Sequence, residues 1–346
     1  MFILKFLAAA WAKAAVVTTA TKVIVAVVVV TTATTTVVVT QEDSPITRWF
    51  SRNIPGVEVV TGPVPPVFQS SIMGLKVPQG VAVTQDGQWL FVAEGDGDRS
   101  VKMIDLNSRA VVRDLVPPGT TPGTRKPMSV AVSAQRIVFV VDRARLVVDM
   151  YNEQGQWLGS LGDPPQTAGV WEPLGVGVDS NGNVYVTNGT TGGPFVARYD
   201  PFGRYITAVG KGEGAARSLS FPASVATYAG ESDSIYVVDS NNARVAVLNG
   251  DGEFDYTYGD QAGDEAVGLP RGIAISPDGR CYVTDATAHI VKVWDAAVNP
   301  AKYLFDFGEA GSADGEMLYP NAVATDAQGR VYVADTGNDR VQIWGY

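Results

Sequence analysis

The chain has 346 residues, of which 46% are hydrophobic, and it contains 37 Gly and 20 Pro. This composition favours many short strands joined by tight turns over helical packing. The net charge of −10 argues against a nucleic-acid partner, because a phosphate backbone requires a basic stripe on the protein.

The first predicted element is a transmembrane helix over residues 22–40, a run of Val, Ile, Ala and Thr that meets no charge until Glu42. About eighteen helical residues cross the hydrocarbon of a bilayer. In lipid the backbone must satisfy its own hydrogen bonds, which forces even β-branched residues into a helix. Lys5, Lys13 and Lys22 precede or begin this run. The positive-inside rule therefore predicts a cytoplasmic N-terminus and a periplasmic or extracellular location for everything that follows.

These assignments divide the chain into a membrane anchor at 1–45, a juxtamembrane linker at 46–55 and a repeat domain from residue 56. Trp49 and Phe50 are predicted to lie at the outer membrane interface, where aromatic side chains are enriched. A cleaved signal peptide is the alternative. Its apolar region would be unusually long, and no clear small-x-small cleavage site ends the run.

The remainder of the chain is periodic. A proline opens each unit at intervals of 46 to 50 residues, followed by a short apolar strand such as Gly80-Val-Ala-Val and a Gly-containing turn. A second strand then ends in an acid or Asn, and two more strands follow in most units. Four strands per repeat of about 48 residues is typical of a propeller blade. The opening prolines are Pro78, Pro127, Pro173, Pro222, Pro270 and Pro320.

The repeat count predicts an all-β, six-bladed β-propeller with four-stranded antiparallel blades. The last unit stops at Tyr346, before its fourth strand. Gly56-Val-Glu-Val-Val-Thr-Gly62 has the form of the missing piece, so we expect it to become the outer strand of blade six. Such closure would pair the open edges of the ring.

Two units carry a more specific signature, Asp239-Ser-Asn-Asn-Ala-Arg244-Val and Asp335-Thr-Gly-Asn-Asp-Arg340-Val. These motifs resemble the Asp-x-x-Asn-x-Arg-Val pattern of the NHL-repeat family, and the resemblance covers residues 56–346. Blades two, three and five depart from it, with Asn188 in place of the acid in blade three. The resemblance implies the propeller fold, but the departures weaken any inherited binding role.

The residues that end the second strands are predicted to support the turns that follow them by accepting backbone N–H bonds, because equivalent positions in six blades form a ring of separate turns. The signature arginines Arg99, Arg145, Arg244 and Arg340 are expected to pair with nearby acids. The strand-ending residues are Glu94, Asp142, Asn188, Asp239, Asp285 and Asp335.

The sequence contains few candidate residues for a catalytic site. Six-bladed propellers of the lactonase type hold calcium with Glu, Asn and Asp, and related amidating lyases use histidine-bound zinc. The innermost strands here carry no such ligands, and His289 is the only histidine, so we predict no metal, no cofactor and no catalytic residues. Cys281, the only cysteine, lies in a strand-like run and is expected to be a buried small residue.

The predicted function is therefore that of a non-catalytic accessory subunit. It would bind integral membrane subunits of a larger complex, of respiratory or photosynthetic type, through its anchor helix in the bilayer and its propeller loops. A metal-dependent hydrolase or lyase and a small-ligand sensor are the alternatives. The candidate contact residues lie around the opening prolines and in one long basic loop: Gln79, Arg125, Lys126, Glu172, Arg271, Tyr319 and Asn321.

Overall fold

Six four-stranded antiparallel sheets follow one another along the chain and form the blades of a propeller. The innermost strand of each blade contacts the innermost strand of the next, and blade six contacts blade one, so the ring is closed around a central channel. The computed structural model separates the chain into two units, Met1–Val64 and Pro65–Tyr346. It describes residues 26–30, 35–39, 57–61, 63–190, 193–212, 214, 217–229 and 233–346.

Each blade runs from its innermost to its outer strand, and blades one to five use consecutive segments of the chain. Blade one comprises Pro78–Val83, Trp89–Glu94, Val101–Asp105 and Ala110–Leu115. Blade two comprises Pro127–Val132, Val138–Asp142, Val147–Tyr151 and Trp157–Ser160. Blade three comprises Pro173–Val178, Val184–Asn188, Phe195–Tyr199 and Tyr205–Val209.

The second half of the ring follows the same order. Blade four comprises Pro222–Ala229, Asp233–Asp239, Arg244–Leu248 and Phe254–Tyr258. Blade five comprises Pro270–Ile275, Arg280–Asp285, Ile290–Asp295 and Lys302–Phe307. Blade six comprises Pro320–Thr325, Val331–Asp335, Arg340–Gly345 and Val67–Ile72. The short elements are a parallel pair, Glu309–Ala310 with Glu316–Met317, and 3-10 turns at Pro122–Thr124, Gln166–Ala168, Ser240–Asn242 and Thr336–Asn338.

The hydrophobic core is divided among the six interfaces between adjacent blades. Side chains of a strand alternate between its two faces, and both faces of a blade are covered by neighbours. In the second strand of blade six, Val331 and Val333 therefore pack toward blade five, whereas Tyr332 and Ala334 pack toward blade one. This arrangement explains why the second strands are continuous apolar runs rather than alternating ones.

Glycine allows the innermost strands of three blade pairs to approach closely. It is the third residue of these strands in blades one, three and five, at Gly80, Gly175 and Gly272. A Cβ atom on Gly175 would lie 2.5 Å from the carbonyl oxygen of Ala223 in the next blade, and one on Gly272 would lie 2.6 Å from the Cα of Ala322. The glycines therefore set the spacing around the channel.

The strand that completes blade six is Val67–Ile72, which corrects the predicted assignment of Gly56–Gly62 to that position. Val67–Ile72 pairs antiparallel with Arg340–Gly345. The ring of Phe68 contacts Trp344 edge-on, with centroids 5.9 Å apart. The ring is thus closed by an N-terminal strand, as predicted, but by the next β-branched and aromatic segment along the chain.

The first unit differs from the predicted transmembrane helix over 22–40. Its described residues form a three-stranded sheet, in which Ala26–Val30 pairs antiparallel with Thr35–Val39, and Thr35–Val39 pairs parallel with Val57–Thr61. Val and Thr favour strands because their branched side chains restrict χ1. Within the described ranges, no helix has the length and apolar character needed to cross a membrane. Trp49 and Phe50, predicted at the membrane interface, lie outside the described residues.

Candidate functional site at the channel mouth

One end of the central channel opens where the innermost strands begin, and we call this opening the channel mouth. It contains a cavity of about 90 Å³. The residue after each opening proline lines the cavity, so each blade contributes one side chain to a ring. One member of this ring is a cation, two are amides and three are apolar: Arg271, Gln79, Asn321, Met128, Leu174 and Ala223.

Two arginines converge on one aromatic ring at the channel mouth. The guanidinium carbons of Arg143 and Arg271 each lie 5.6 Å from the centroid of Phe221, within the range of a cation–π contact. All three side chains line the cavity and are partly buried. The cavity lining contains no carboxylate, imidazole or thiol, so the channel mouth is positively charged although the whole chain is acidic.

The backbone fixes these side chains through the turns that carry them. Arg143 follows the strand-ending Asp142, and its N–H donates to the carbonyl of Lys126 at 2.9 Å. Phe221 precedes an opening proline with a positive φ of 54°, and its carbonyl accepts the N–H of Ser240 at 3.3 Å. Arg271 is the second residue of the strand Pro270–Ile275. Backbone hydrogen bonds beside strand ends therefore position Arg143 and Phe221, and the innermost strand of blade five positions Arg271.

The strand-ending residues accept backbone N–H bonds, which confirms their predicted structural role. The donor shared by all six blades lies in the segment that leads into the innermost strand of the same blade, which corrects the predicted donor in the following turn. Asp142 and Asp285 also accept N–H bonds from the turns that follow them. The shared contacts are Lys76 to Glu94 at 2.9 Å, Lys126 to Asp142 at 2.9 Å, Glu172 to Asn188 at 2.5 Å, Ser220 to Asp239 at 2.6 Å, Gly268 to Asp285 at 2.6 Å and Leu318 to Asp335 at 2.7 Å.

Three of the four signature arginines form the predicted ion pairs. Arg244 Nε lies 2.8 Å from Asp239 and Arg340 Nε lies 2.7 Å from Asp335, and all four side chains are buried. Arg145 pairs most closely with Asp149, at 2.6 Å. Arg99 has no ion pair among the described residues; its carbonyl accepts a hydrogen bond from Arg125. The carboxylates of the signature are therefore fully used within their blades.

The structure brings only some of the predicted contact residues together. Gln79, Arg271 and Asn321 line the channel mouth, and Asn321 Nδ2 donates to the Gln79 carbonyl at 2.6 Å. Arg125 is buried and holds its loop by donating to the carbonyls of Arg99 and Asp98. The other three lie outside the cavity lining, two of them exposed and Glu172 partly buried: Lys126, Tyr319 and Glu172.

Sequence reasoning did not identify Arg143 and Phe221. The position after the strand-ending residue is small in the five other blades, and blade two alone has a long cationic side chain there. Phe221 occupies the position before the opening proline, which was considered in other blades but not in blade four. The exceptional arginine is the signal that could have identified Arg143, whereas the position of Phe221 varies among all six blades and carries no such signal.

Cys281 and His289 have structural environments. Cys281 is fully buried, with its Sγ 3.1 Å from the hydroxyl of Tyr258, and burial raises the pKa of its thiol to about 12. The thiolate needed for nucleophilic chemistry is therefore scarce at neutral pH. His289 Nδ1 accepts the N–H of Tyr319 at 3.0 Å, and the two rings contact edge-on.

The opposite end of the channel has a different character. A cavity of about 310 Å³ opens there among the turns that join first and second strands. Its charges are mixed, because it contains Asp179, Asp233 and Arg198. Asp179 is already engaged by Asn183 Nδ2 at 2.7 Å and by the Tyr185 hydroxyl at 3.2 Å. In the part of the chain that the structure describes, no group of three or more His, Cys, Asp or Glu side chains could hold a metal ion.

Comparison with known proteins supports the propeller class indicated by the repeats. Residues 317–344 match the family model of the NHL repeat, and the structure has the six four-stranded blades expected of such a propeller. Protein SUPPRESSOR OF QUENCHING 1, chloroplastic, from Arabidopsis thaliana is 29% identical over 129 residues. That similarity covers 31% of this chain and 12% of the length of the Arabidopsis protein.

Solved structures share the fold at low sequence identity. A structural genomics protein of unknown function from Bacteroides thetaiotaomicron superposes with a TM-score of 0.63 and 17% identity, covering 81% of this chain and 72% of the other. A streptogramin B lyase gives 0.54 and 13%, covering 81% and 96%. Hydrazine synthase of Kuenenia stuttgartiensis gives 0.51 and 15%, covering 77% and 82%. At these identities the similarity establishes the fold alone.

Proposed function

We propose that this propeller is a non-catalytic binding module that engages a partner at the channel mouth and acts as an accessory subunit of a larger assembly. The observation that carries the proposal is the convergence of Arg143 and Arg271 on Phe221 beside the amides of Gln79 and Asn321. Arginine and aromatic side chains are enriched at protein interfaces and dominate their binding energy. Here the arginine and aromatic side chains lie on or beside hydrogen-bonded strand ends. Their backbone is therefore already ordered, which lowers the entropic cost of binding.

The surroundings of the channel mouth extend this surface. Lys126 and Tyr319 are exposed, and Tyr319 leaves 58% of its surface open to solvent. Lys126 is joined to Arg143 through the backbone hydrogen bond between them, and Tyr319 precedes the strand that carries Asn321. A partner that covers the channel mouth would therefore meet a rim of one cation and one aromatic side chain.

The test is gentle extraction of the native protein, followed by sizing and mass spectrometry of the proteins that travel with it. We expect a stoichiometric partner that is lost from the double variant Lys126→Glu/Tyr319→Ala. The partner should be retained by the matched control Arg113→Glu, which changes an exposed charge on the outer strand of blade one. Retention of the partner by both variants, or wild-type protein that migrates alone, would overturn the proposal.

Two further points stay predictions from the sequence. Location on the extracytoplasmic face of a membrane is tested by alkaline extraction of membranes and by protease protection of the propeller. The alternative function, a metal-dependent hydrolase or lyase, predicts a stoichiometric divalent ion in the purified protein. Metal analysis followed by lactone and ester hydrolysis assays separates that alternative from the binding module.

A further inference from the structure

The two arginines at the channel mouth have no counter-ion among the described residues. Neither Arg143 nor Arg271 forms a salt bridge with any described carboxylate, whereas Arg145, Arg244 and Arg340 each have one within 2.8 Å. Burial lowers the pKa of the Arg271 guanidinium, and no neighbouring acid offsets that effect. Placing charged groups out of water is unfavourable unless they are paired, so the arrangement favours an incoming anion.

The two cations are close enough to act on one ligand. Arg143 belongs to blade two, Phe221 to blade four and Arg271 to blade five, so the three side chains meet across the channel rather than within one blade. Each guanidinium carbon lies 5.6 Å from the same ring centroid, so the two carbons can be at most about 11 Å apart, twice that distance. An anion that enters the channel mouth beside Phe221 would therefore lie within Coulombic range of both charges.

The size and lining of the cavity restrict the ligand further. About 90 Å³ is roughly the volume of three water molecules in the liquid, which is enough for a carboxylate on a short carbon stem. Met128, Leu174 and the Phe221 ring supply apolar contacts for the stem. Guanidinium groups bind carboxylates through two parallel N–H···O bonds.

We infer that the channel mouth is a carboxylate-binding site in which Arg143 and Arg271 hold the carboxylate while Phe221 and the apolar ring hold its stem. This inference rests on the proposed binding function and names the chemistry of the ligand. The carboxylate belongs either to an acidic side chain of a protein partner or to a small free carboxylic acid, and the shared chemistry is the same.

The experiment uses the full chain and isothermal titration at constant ionic strength. The probes are glutarate, a peptide containing one glutamate with blocked ends, the same peptide with glutamine, and inorganic phosphate. We expect glutarate, the glutamate peptide or both to bind, with no detectable binding of the glutamine peptide. Binding of glutarate alone identifies a free acid as the source, and preference for the glutamate peptide identifies a protein side chain.

Variants test whether the binding belongs to the channel mouth. Arg271→Gln and Arg143→Gln should each weaken binding of the preferred carboxylate at least tenfold, and Arg271→Lys should have an intermediate effect because it keeps the charge but loses the planar fork. The control Arg113→Gln makes the same change of charge on the exposed outer strand and should bind like wild type. Thermal unfolding of each variant verifies that it is folded.

Three results would overturn the inference: no carboxylate binding by wild type, tighter binding of phosphate than of either carboxylate, or equal weakening by Arg113→Gln. These failures are distinguishable from failure of the proposed function. A partner that co-purifies and depends on Lys126 and Tyr319, together with absent carboxylate binding, retains the binding module and removes the carboxylate site.

Discussion

The buried ion pair of blade six permits a quantitative test against an exposed pair of the same geometry. Arg340 Nε lies 2.7 Å from Asp335, and Arg204 Nε lies 2.6 Å from Asp200. The Arg340 side chain is 5% exposed and its partner is fully buried, whereas the Arg204 side chain is 76% exposed. Arg340 also donates to the carbonyls of Ala313 and Glu316 at 2.7 Å. The two pairs therefore differ in burial and in these two additional hydrogen bonds, both of which favour the pair of blade six.

Replacement of each arginine by methionine keeps much of the side-chain length and removes the charge. Arg340→Met leaves a buried carboxylate without its cation, and breaking a buried pair in this way costs about 3–5 kcal/mol. Arg204→Met removes a pair that solvent already screens, and we expect a much smaller loss of stability. The measurement is urea unfolding of both full-length variants, monitored by tryptophan fluorescence. Losses of unfolding free energy that differ by less than about 1 kcal/mol would refute the expectation that the buried pair contributes more to stability than the exposed pair.

Three other predictions concern the ring, its pH dependence and its closure. Gly175→Ala should destabilise by about 1–3 kcal/mol in urea unfolding, because its Cβ would lie 2.5 Å from the Ala223 carbonyl oxygen; an unchanged midpoint would contradict the close approach. Burial of Asp285 opposes its ionisation, but hydrogen bonds from four backbone N–H groups and the Thr287 hydroxyl prevail, so the pKa of Asp285 lies below its usual value. The stability advantage of wild type over Asp285→Asn should therefore be constant above about pH 5 and shrink as pH falls through the usual aspartate pKa toward the lower folded-state pKa; a difference in unfolding free energy that stays constant between pH 6 and pH 3 would contradict this. A chain of residues 65–346 should show a cooperative urea transition, whereas residues 75–346 lack the closing strand and should lose near-UV circular dichroism; equal spectra would contradict the observed closure.

The blades could be predicted because each repeat has the same kinds of residue in the same order, and each kind meets the same physical requirement in every blade. The proline, the apolar second strand and its terminal acid recur because every blade must bury two faces and satisfy the same loop N–H groups. Asp239 and Asp335 were therefore interpreted correctly as structural before any contact was visible. Departure from the repeat at Asn188 preserved that function, since its side-chain oxygen accepts the Glu172 N–H at 2.5 Å.

The ends and the site were harder to predict, for two physical reasons. Gly56–Gly62 and Val67–Ile72 have similar strand propensity, and only the pairing with Arg340–Gly345 distinguishes them. The residues 22–40 satisfy the length rule for a bilayer, yet their β-branched side chains favour strands equally well. The convergence of the channel-mouth arginines depends on contacts between blades that are separated in sequence, which local patterns do not encode.

The closing strand imposes an order on folding during synthesis. Val67–Ile72 is synthesised before blades one to five, but its partner Arg340–Gly345 is synthesised after them. Until then the nascent propeller has two open edges and one incomplete sheet, and contacts of such long sequence separation form slowly. A ring of this kind cannot complete itself blade by blade. Its first strand must wait unpaired, exposed to pairing with other chains, until the third strand of blade six has been synthesised.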